Sequence, residues 1–380
     1  MSNDLVSIIE SNIRSIHTSQ YDLSFNELAD MYESGELNIN PDFQRLFRWS
    51  NAKQSRFIES LVLEMPIPPI YVTETDEKQY DLIDGLQRIS SYLHFRGTLR
   101  NAEHLDIKEG DKLELTDCDI VSELDGKTFD DLPSSLQIRI KRSFIRMQII
   151  RKDSDPMFRY HMFKRLNTGG EILEPQEVRN CTIRILDVTF PDFLRRMSNN
   201  SHFEIVTSNI SDQKSRNAYR EELVLKFFAF KNYRENYVKN VQEFLDSYME
   251  GVALPAGEEG SLSFDYTKEE QDFNKVFKIL DLSMNEQAFS CSNKSQTQLQ
   301  DNFRSYHYEV FPQAIFPLLD KIDPNNNEHI EMIKEAITSV KLDSDFIVMT
   351  TGGGKNTKNA LDERIMFASN VLSEIEFKND

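Results

Sequence analysis

Up to about residue 150 the apolar positions alternate between helical and strand spacing, so several short elements of both kinds are predicted. Ser24-Phe25-Asn26-Glu27 has the form of a capping box, opening a helix that ends near Gly35. A short strand over 37–39 then leads into Pro41. Ser50 is placed to cap a helix in which Phe57, Ile58, Leu61 and Val62 recur at helical spacing, and Pro66-Ile67-Pro68-Pro69 stops it. The runs 70–72 and 80–83 read as strands joined by a polar hairpin. Helical periodicity returns over 86–95 and closes at Gly97. Residues 100–132 are acidic and loop-like, with Asp125-Gly126 as a turn; Pro133 opens a further helix and 144–150 is a β-rich run.

After Pro156 the pattern is helical to the end. Amphipathic stretches lie around 216–250, 265–288, 303–320, 328–340 and 358–376, with Gly251 to Gly260 as the best linker candidate. The expectation is an α+β chain with a small mixed lobe over 1–155 and a larger all-helical lobe over 156–380. A length of 380 residues is more than one core comfortably fills, which fits two lobes. No apolar run is long enough for a membrane span, and Met1-Ser2-Asn3-Asp4 does not begin a basic region followed by an apolar stretch. Three separated cysteines, Cys118, Cys181 and Cys291, suit neither a disulfide framework nor a cysteine zinc site. A cytoplasmic location is expected.

The net charge of −19 argues against a protein that coats DNA indiscriminately. That average hides a local reversal. Residues 101–135 hold eleven acidic and three basic side chains, whereas 136–165 hold nine basic against two acidic. Arg139, Arg142 and Arg146 in the basic stretch are candidate DNA contacts; a solvated face balanced by the acidic stretch is the alternative.

The chemistry-bearing segment is Ile83-Asp84-Gly85-Leu86-Gln87-Arg88. A strand ends in Asp-Gly and a helix starts at once, so free amides and the helix dipole attract anions there. Arg88 adds a fork of donors suited to phosphate, Gly85 permits close approach, and Asp84 can hold Mg²⁺ or orient a water. An ordinary tight turn with an Asp cap and a surface Arg fits the same residues. Asn40-Pro41-Asp42-Phe43-Gln44-Arg45, followed by Arg48-Trp49, offers a second Gln-Arg pair to converge on one polyanion. The competing reading places Phe43, Phe47 and Trp49 in the core with Arg45 lying over them.

Taken in order, Pro41-Asp42-Phe43-Gln44-Arg45, Ile58-Glu59-Ser60, Pro66-Ile67-Pro68-Pro69-Ile70-Tyr71 and Ile83-Asp84-Gly85-Leu86-Gln87-Arg88 resemble the N-terminal half of GmrSD-type restriction endonucleases. Phe163-Lys164-Arg165-Leu166-Asn167-Thr168-Gly169-Gly170 and Glu177-Val178-Arg179-Asn180 resemble a second block of that family, so the likeness spans roughly residues 20–185. It implies a ParB/sulfiredoxin-like N-terminal lobe, a role in defence against foreign DNA, and hydrolysis of a nucleoside triphosphate with Mg²⁺. Asp84, Gln87 and Arg88 then become the catalytic candidates, with Asp84 as metal ligand. Gln44, Arg45, Gly85, Arg88 and Asn167 become the nucleotide contacts. The family usually has Gln where this chain has Leu86, so turnover depends on whether that position faces nucleotide or core.

Two other functions fit the same residues: a non-catalytic nucleotide sensor that binds DNA or a partner, and a metal-dependent nuclease using Asp84. The seven histidines are scattered, so no HNH nuclease centre is expected, and a separate nuclease subunit becomes a candidate partner. Gly352-Gly353-Gly354-Lys355-Asn356-Thr357 fails the phosphate-loop pattern, with Met349 in place of the first Gly and Asn after the Lys; a loop before the last helix is expected. Asn167-Thr168-Gly169-Gly170 reads either as a flap over nucleotide or as a helix C-terminus.

Overall fold

A computed structural model describes Val6, Ile9 and residues 17–39, 47–75, 78–167, 175–184, 186–210, 218–293, 295–352 and 354–377. Contacts divide the chain into two compact units, Met1–Ile172 and Leu173–Asp380. The fold class is α+β: a mixed sheet in the first unit and a larger helical part.

In the first unit the described elements are β1 (Thr18–Ser24), α1 (Phe25–Glu33), β2 (Leu37–Asn38), α2 (Asn51–Val62), β3 (Ile70–Glu74), β4 (Tyr80–Asp84), α3 (Leu86–Arg96), α4 (Ser134–Arg142), β5 (Phe144–Ile150) and α5 (Pro156–Asn167). The five strands lie in the order β1-β5-β3-β4-β2. β1 runs antiparallel to β5 and β3 antiparallel to β4, while β3–β5 and β2–β4 are parallel. Ser24 caps α1 by accepting from the Glu27 amide, and Ser50 caps α2 by accepting from Lys53. Alternation along β5 decides its packing: Ile145, Met147 and Ile149 enter the core, and Phe144 and Arg146 stay exposed. Phe25, Phe57 and Tyr92 interlock beneath the sheet, with Phe25 centred 6.0 Å from Phe57 and 5.0 Å from Tyr92.

β1 escapes a reading by pattern because only Leu23 of its seven residues is buried; its exposed Asp22 and Gln20 pair across to Arg146 and Gln148. The acidic stretch 100–132 is irregular, as expected, yet Leu113, Leu115, Leu124, Phe129 and Leu132 enter the core. Buried Glu59 holds it by accepting from the amides of Asp119, Ile120 and Val121 at 3.1, 2.9 and 2.6 Å.

The second unit contains α6 (Pro175–Ile183), α7 (Thr189–Ser198), α8 (Ser201–Val206), α9 (Tyr219–Asn232), α10 (Val241–Ala253), α11 (Tyr266–Met284), α12 (Ser305–Ile315), α13 (Asn327–Leu342), α14 (Ser344–Thr350) and α15 (Lys358–Ser373). The stretch expected to run over 216–250 is two helices, parted at Tyr233. Gly251 lies inside α10 rather than opening the linker. A Cβ there would meet Leu262 at 2.8 Å and the Gly260 carbonyl at 3.0 Å, so the glycine lets the returning loop close on the helix.

α9 is the buried centre of this unit, with every residue from Glu222 to Phe230 out of solvent. Two of those residues, Glu222 and Lys226, are charged. Arg179 of α6 sits 3.3 Å from Glu222 and 2.7 Å from Asp246; Lys226 lies 3.9 Å from Glu222 and 3.8 Å from Glu309; Arg364 lies 3.3 Å from Glu309. Removing Arg179 takes a close cation from both Glu222 and Asp246 and leaves Glu222 with Lys226 at 3.9 Å. Arg179→Ala is therefore expected to lower stability by about 3–5 kcal/mol, read as a lower urea midpoint for the helical unit. An unchanged midpoint would contradict this reading.

Candidate functional site

The site is built where β4 turns into α3. Tyr71 pairs with Asp84 but Val72 pairs with Leu82, so Ile83 is an extra residue and the strand bulges just before the turn. Bulges re-aim the next side chain, here Asp84. Gly85 follows at φ 114° and caps α3 without a side chain. A Cβ at this position would fall 2.3 Å from Ile70 Cγ2, so both the dihedral and the space demand glycine.

The three side chains after the glycine divide their tasks. Leu86 is 4 % exposed and belongs to the hydrophobic core, so this position faces inward. Arg88 Nη2 donates to Asp84 Oδ2 at 2.7 Å, and Nη1 donates to the carbonyls of Pro68 and Pro69 at 2.6 and 3.1 Å. The guanidinium thus ties the end of β4 to the proline wall and orients Asp84, whose side chain is 40 % exposed. Gln87 Oε1 accepts from the amides of Arg48 and Trp49 at 2.9 and 3.0 Å. One carboxamide therefore joins the segment that follows the first Gln-Arg pair to the helix that carries the second.

That segment is held from three sides. His104 Nε2 donates to the Phe47 carbonyl at 2.8 Å, and Gln54 Nε2 donates to the Trp49 carbonyl at 2.9 Å. His94 Nδ1 in turn donates to Gln54 Oε1 at 2.8 Å, and burial keeps its imidazole below the usual histidine range. Phe47 is buried and Trp49 packs edge-on to Phe57 at 6.1 Å. Gln54, His94 and His104 gave no motif signal, since their role appears only when α2, α3 and the 103–105 turn are side by side. Gln44 and Arg45 lie outside the described residues, as do Thr168, Gly169 and Gly170. Asn167 closes α5, with its side chain outside the described residues.

Arg139, Arg142 and Arg146 line one groove of about 910 Å³, together with Met65, Ile138 and Phe144. Arg139 faces Glu64 at 3.4 Å and donates to the Val62 carbonyl; Arg146 grips both Asp22 oxygens at 2.8 and 3.1 Å. Pro69 belongs both to this groove and to the wall that Arg88 holds. Among the described residues no group of three or more His, Cys, Asp or Glu side chains is arranged to hold a metal ion, and no helix is long and apolar enough to cross a membrane. Lys355 donates to the Val348 and Thr351 carbonyls, so the glycine-rich loop's lysine closes the C-terminal end of α14.

Residues 25–184 match the family of the GmrSD restriction endonuclease N-terminal domain, and it is to that domain that this segment is similar. No curated protein and no solved structure matches the chain. The matched segment holds the whole β4–α3 turn and the clamp on residues 47–49, and ends just after α6.

Two outcomes test this construction. Gly85→Ala is expected to cost roughly 2–4 kcal/mol through left-handed strain and the Ile70 clash, measured by thermal unfolding; retention of the wild-type Tm would refute it. Gln87→Ala is expected to free residues 48–49 and shift the emission of Trp49, the chain's single tryptophan, to longer wavelength without loss of helix content. An unshifted spectrum would mean that the carboxamide does not hold the segment.

Proposed function

We propose that the chain is a nucleoside-triphosphate-binding and Mg²⁺-dependent hydrolysing component of a DNA-restriction or phage-defence system, with the β4–α3 turn as its phosphate site. The restriction and defence role rests on the family of residues 25–184. The observation that carries the chemical reading is the Gln87 clamp, which ties residues 48–49, and so the chain leading from Gln44 and Arg45, to the start of α3. A helix start without a side-chain cap, entered through a glycine, suits phosphate oxygens.

The residues fit a Mg²⁺–triphosphate. Magnesium is commonly held by one or two carboxylates, with phosphate oxygens and water completing its shell, so the single half-exposed Asp84 carboxylate is a sufficient protein ligand. Bound there, the ion would neutralise charge on the transferred phosphoryl group. Arg88 fixes one oxygen of the part-exposed Asp84 carboxylate, which makes Arg88 a positioning residue. Arg45 and Gln44 would supply the cationic and amide contacts to the phosphates. Leu86 packs inward and takes no part.

One observation favours the alternative of a nucleotide sensor without turnover: the Arg88 guanidinium is engaged by Asp84, Pro68 and Pro69 and is only 13 % exposed. Phosphate release distinguishes the two. The purified chain with Mg²⁺ is expected to release phosphate from at least one of the common nucleoside triphosphates, and Asp84→Ala to abolish release while the fold persists. Saturable binding without release would support the sensor; wild-type release by Asp84→Ala would remove Asp84 from the reaction.

A further inference from the structure

The groove beside the proline wall has a lining unlike the phosphate site. Phe144, Ile138 and Met65 are 67, 50 and 41 % exposed, an apolar cluster that a solvated surface does not favour. Arg139, Arg142 and Arg146 stand among these side chains. Two of them already face carboxylates in solvent-exposed pairs: Arg139 meets Glu64 at 3.4 Å in a contact that contributes little, and Arg146 holds Asp22 through two bonds. Arg142 is exposed and has no ion-pair partner among the described residues.

We propose that this groove docks a segment of a partner protein in which two bulky apolar side chains are flanked by carboxylates. The apolar side chains would cover Phe144, Ile138 and Met65, and a carboxylate would pair with Arg142, then displace Glu64 or Asp22 from its arginine. Charge complementarity and lining together favour this occupant over nucleic acid. A polynucleotide gains affinity from several uncompensated cations, and among the described residues this groove offers one, Arg142, on a chain of net charge −19. Glu64 and Asp22 at the groove would also oppose phosphates. A half-open apolar trough with aliphatic walls matches the buried centre of a protein interface, where apolar anchors carry most of the binding.

The test uses the full chain and a set of short synthetic peptides. Each carries two leucines or phenylalanines three or four positions apart, flanked by glutamate, by lysine or by serine. Fluorescence anisotropy is expected to give saturable binding of the glutamate-flanked set alone. Phe144→Glu is expected to weaken it at least about tenfold, as for a central aromatic anchor, and Arg142→Glu to shift preference to the lysine-flanked set. Both side chains are exposed, so both variants are expected to keep the wild-type Tm, which is measured alongside; Phe144→Ser provides a neutral version of the first. The proposal is overturned if no peptide binds, if flanking charge makes no difference, or if the variants bind like wild type. It is overturned equally if a short DNA duplex binds in a way that both variants abolish, since the groove would then belong to nucleic acid. Phosphate release in the same variants is a separate readout, so failure here leaves the nucleotide reading intact and the reverse.

Discussion

The architecture of the candidate site depends on one carboxamide oxygen. Gln87 Oε1 receives two backbone amides from a segment about forty positions earlier in the chain and so ties residues 48 and 49 to the start of α3. Such a bond contributes only about 1 kcal/mol net, but leaving two amides without an acceptor costs more than the bonds themselves contribute. Its position therefore matters more than its strength. The surrounding polar contacts serve the same segment: His104 on the Phe47 carbonyl, Gln54 on that of Trp49, and His94 behind Gln54. Together they leave residues 47–49 one place to lie, beside the turn through Gly85.

Arg88 performs a parallel task on the other side of the turn. By bridging Asp84 to Pro68 and Pro69 it connects the β4–α3 turn, the proposed phosphate site, with the wall of the arginine-lined groove. A strand bulge and a left-handed glycine would be costly in isolation; here the Ile70 contact leaves no room for any other residue, and the arginine anchors the loop that presents Ile70. The site is thus preorganised by interactions that do not themselves touch a ligand.

Much of this could be read before the fold was known, and the exceptions have physical causes. Ser24, Ser50, Gly97 and the alternation over 144–150 act locally, so helix starts, stops and the β5 strand follow from them directly. The Asp84-Gly85 turn is equally local. β1 escapes the pattern because an edge strand facing solvent needs no apolar alternation, and Tyr21, Asp22 and Gln20 supply none. Gly251 reads as a linker because its reason, the packing of Leu262, lies eleven residues away. The basic run over 139–165 could be counted, but not the pairing of Arg139 with Glu64 or of Arg146 with Asp22, which only the sheet register brings together. Whether Leu86 faces core or solvent is likewise a matter of tertiary packing, and it faces the core.

The most direct measurement of the central claim is hydrogen–deuterium exchange over residues 40–49 and 84–90 as a Mg²⁺–nucleoside triphosphate is titrated. If both segments form one site, their amides slow together, with a common midpoint in nucleotide concentration. Protection confined to one segment, or two separate midpoints, would contradict the account.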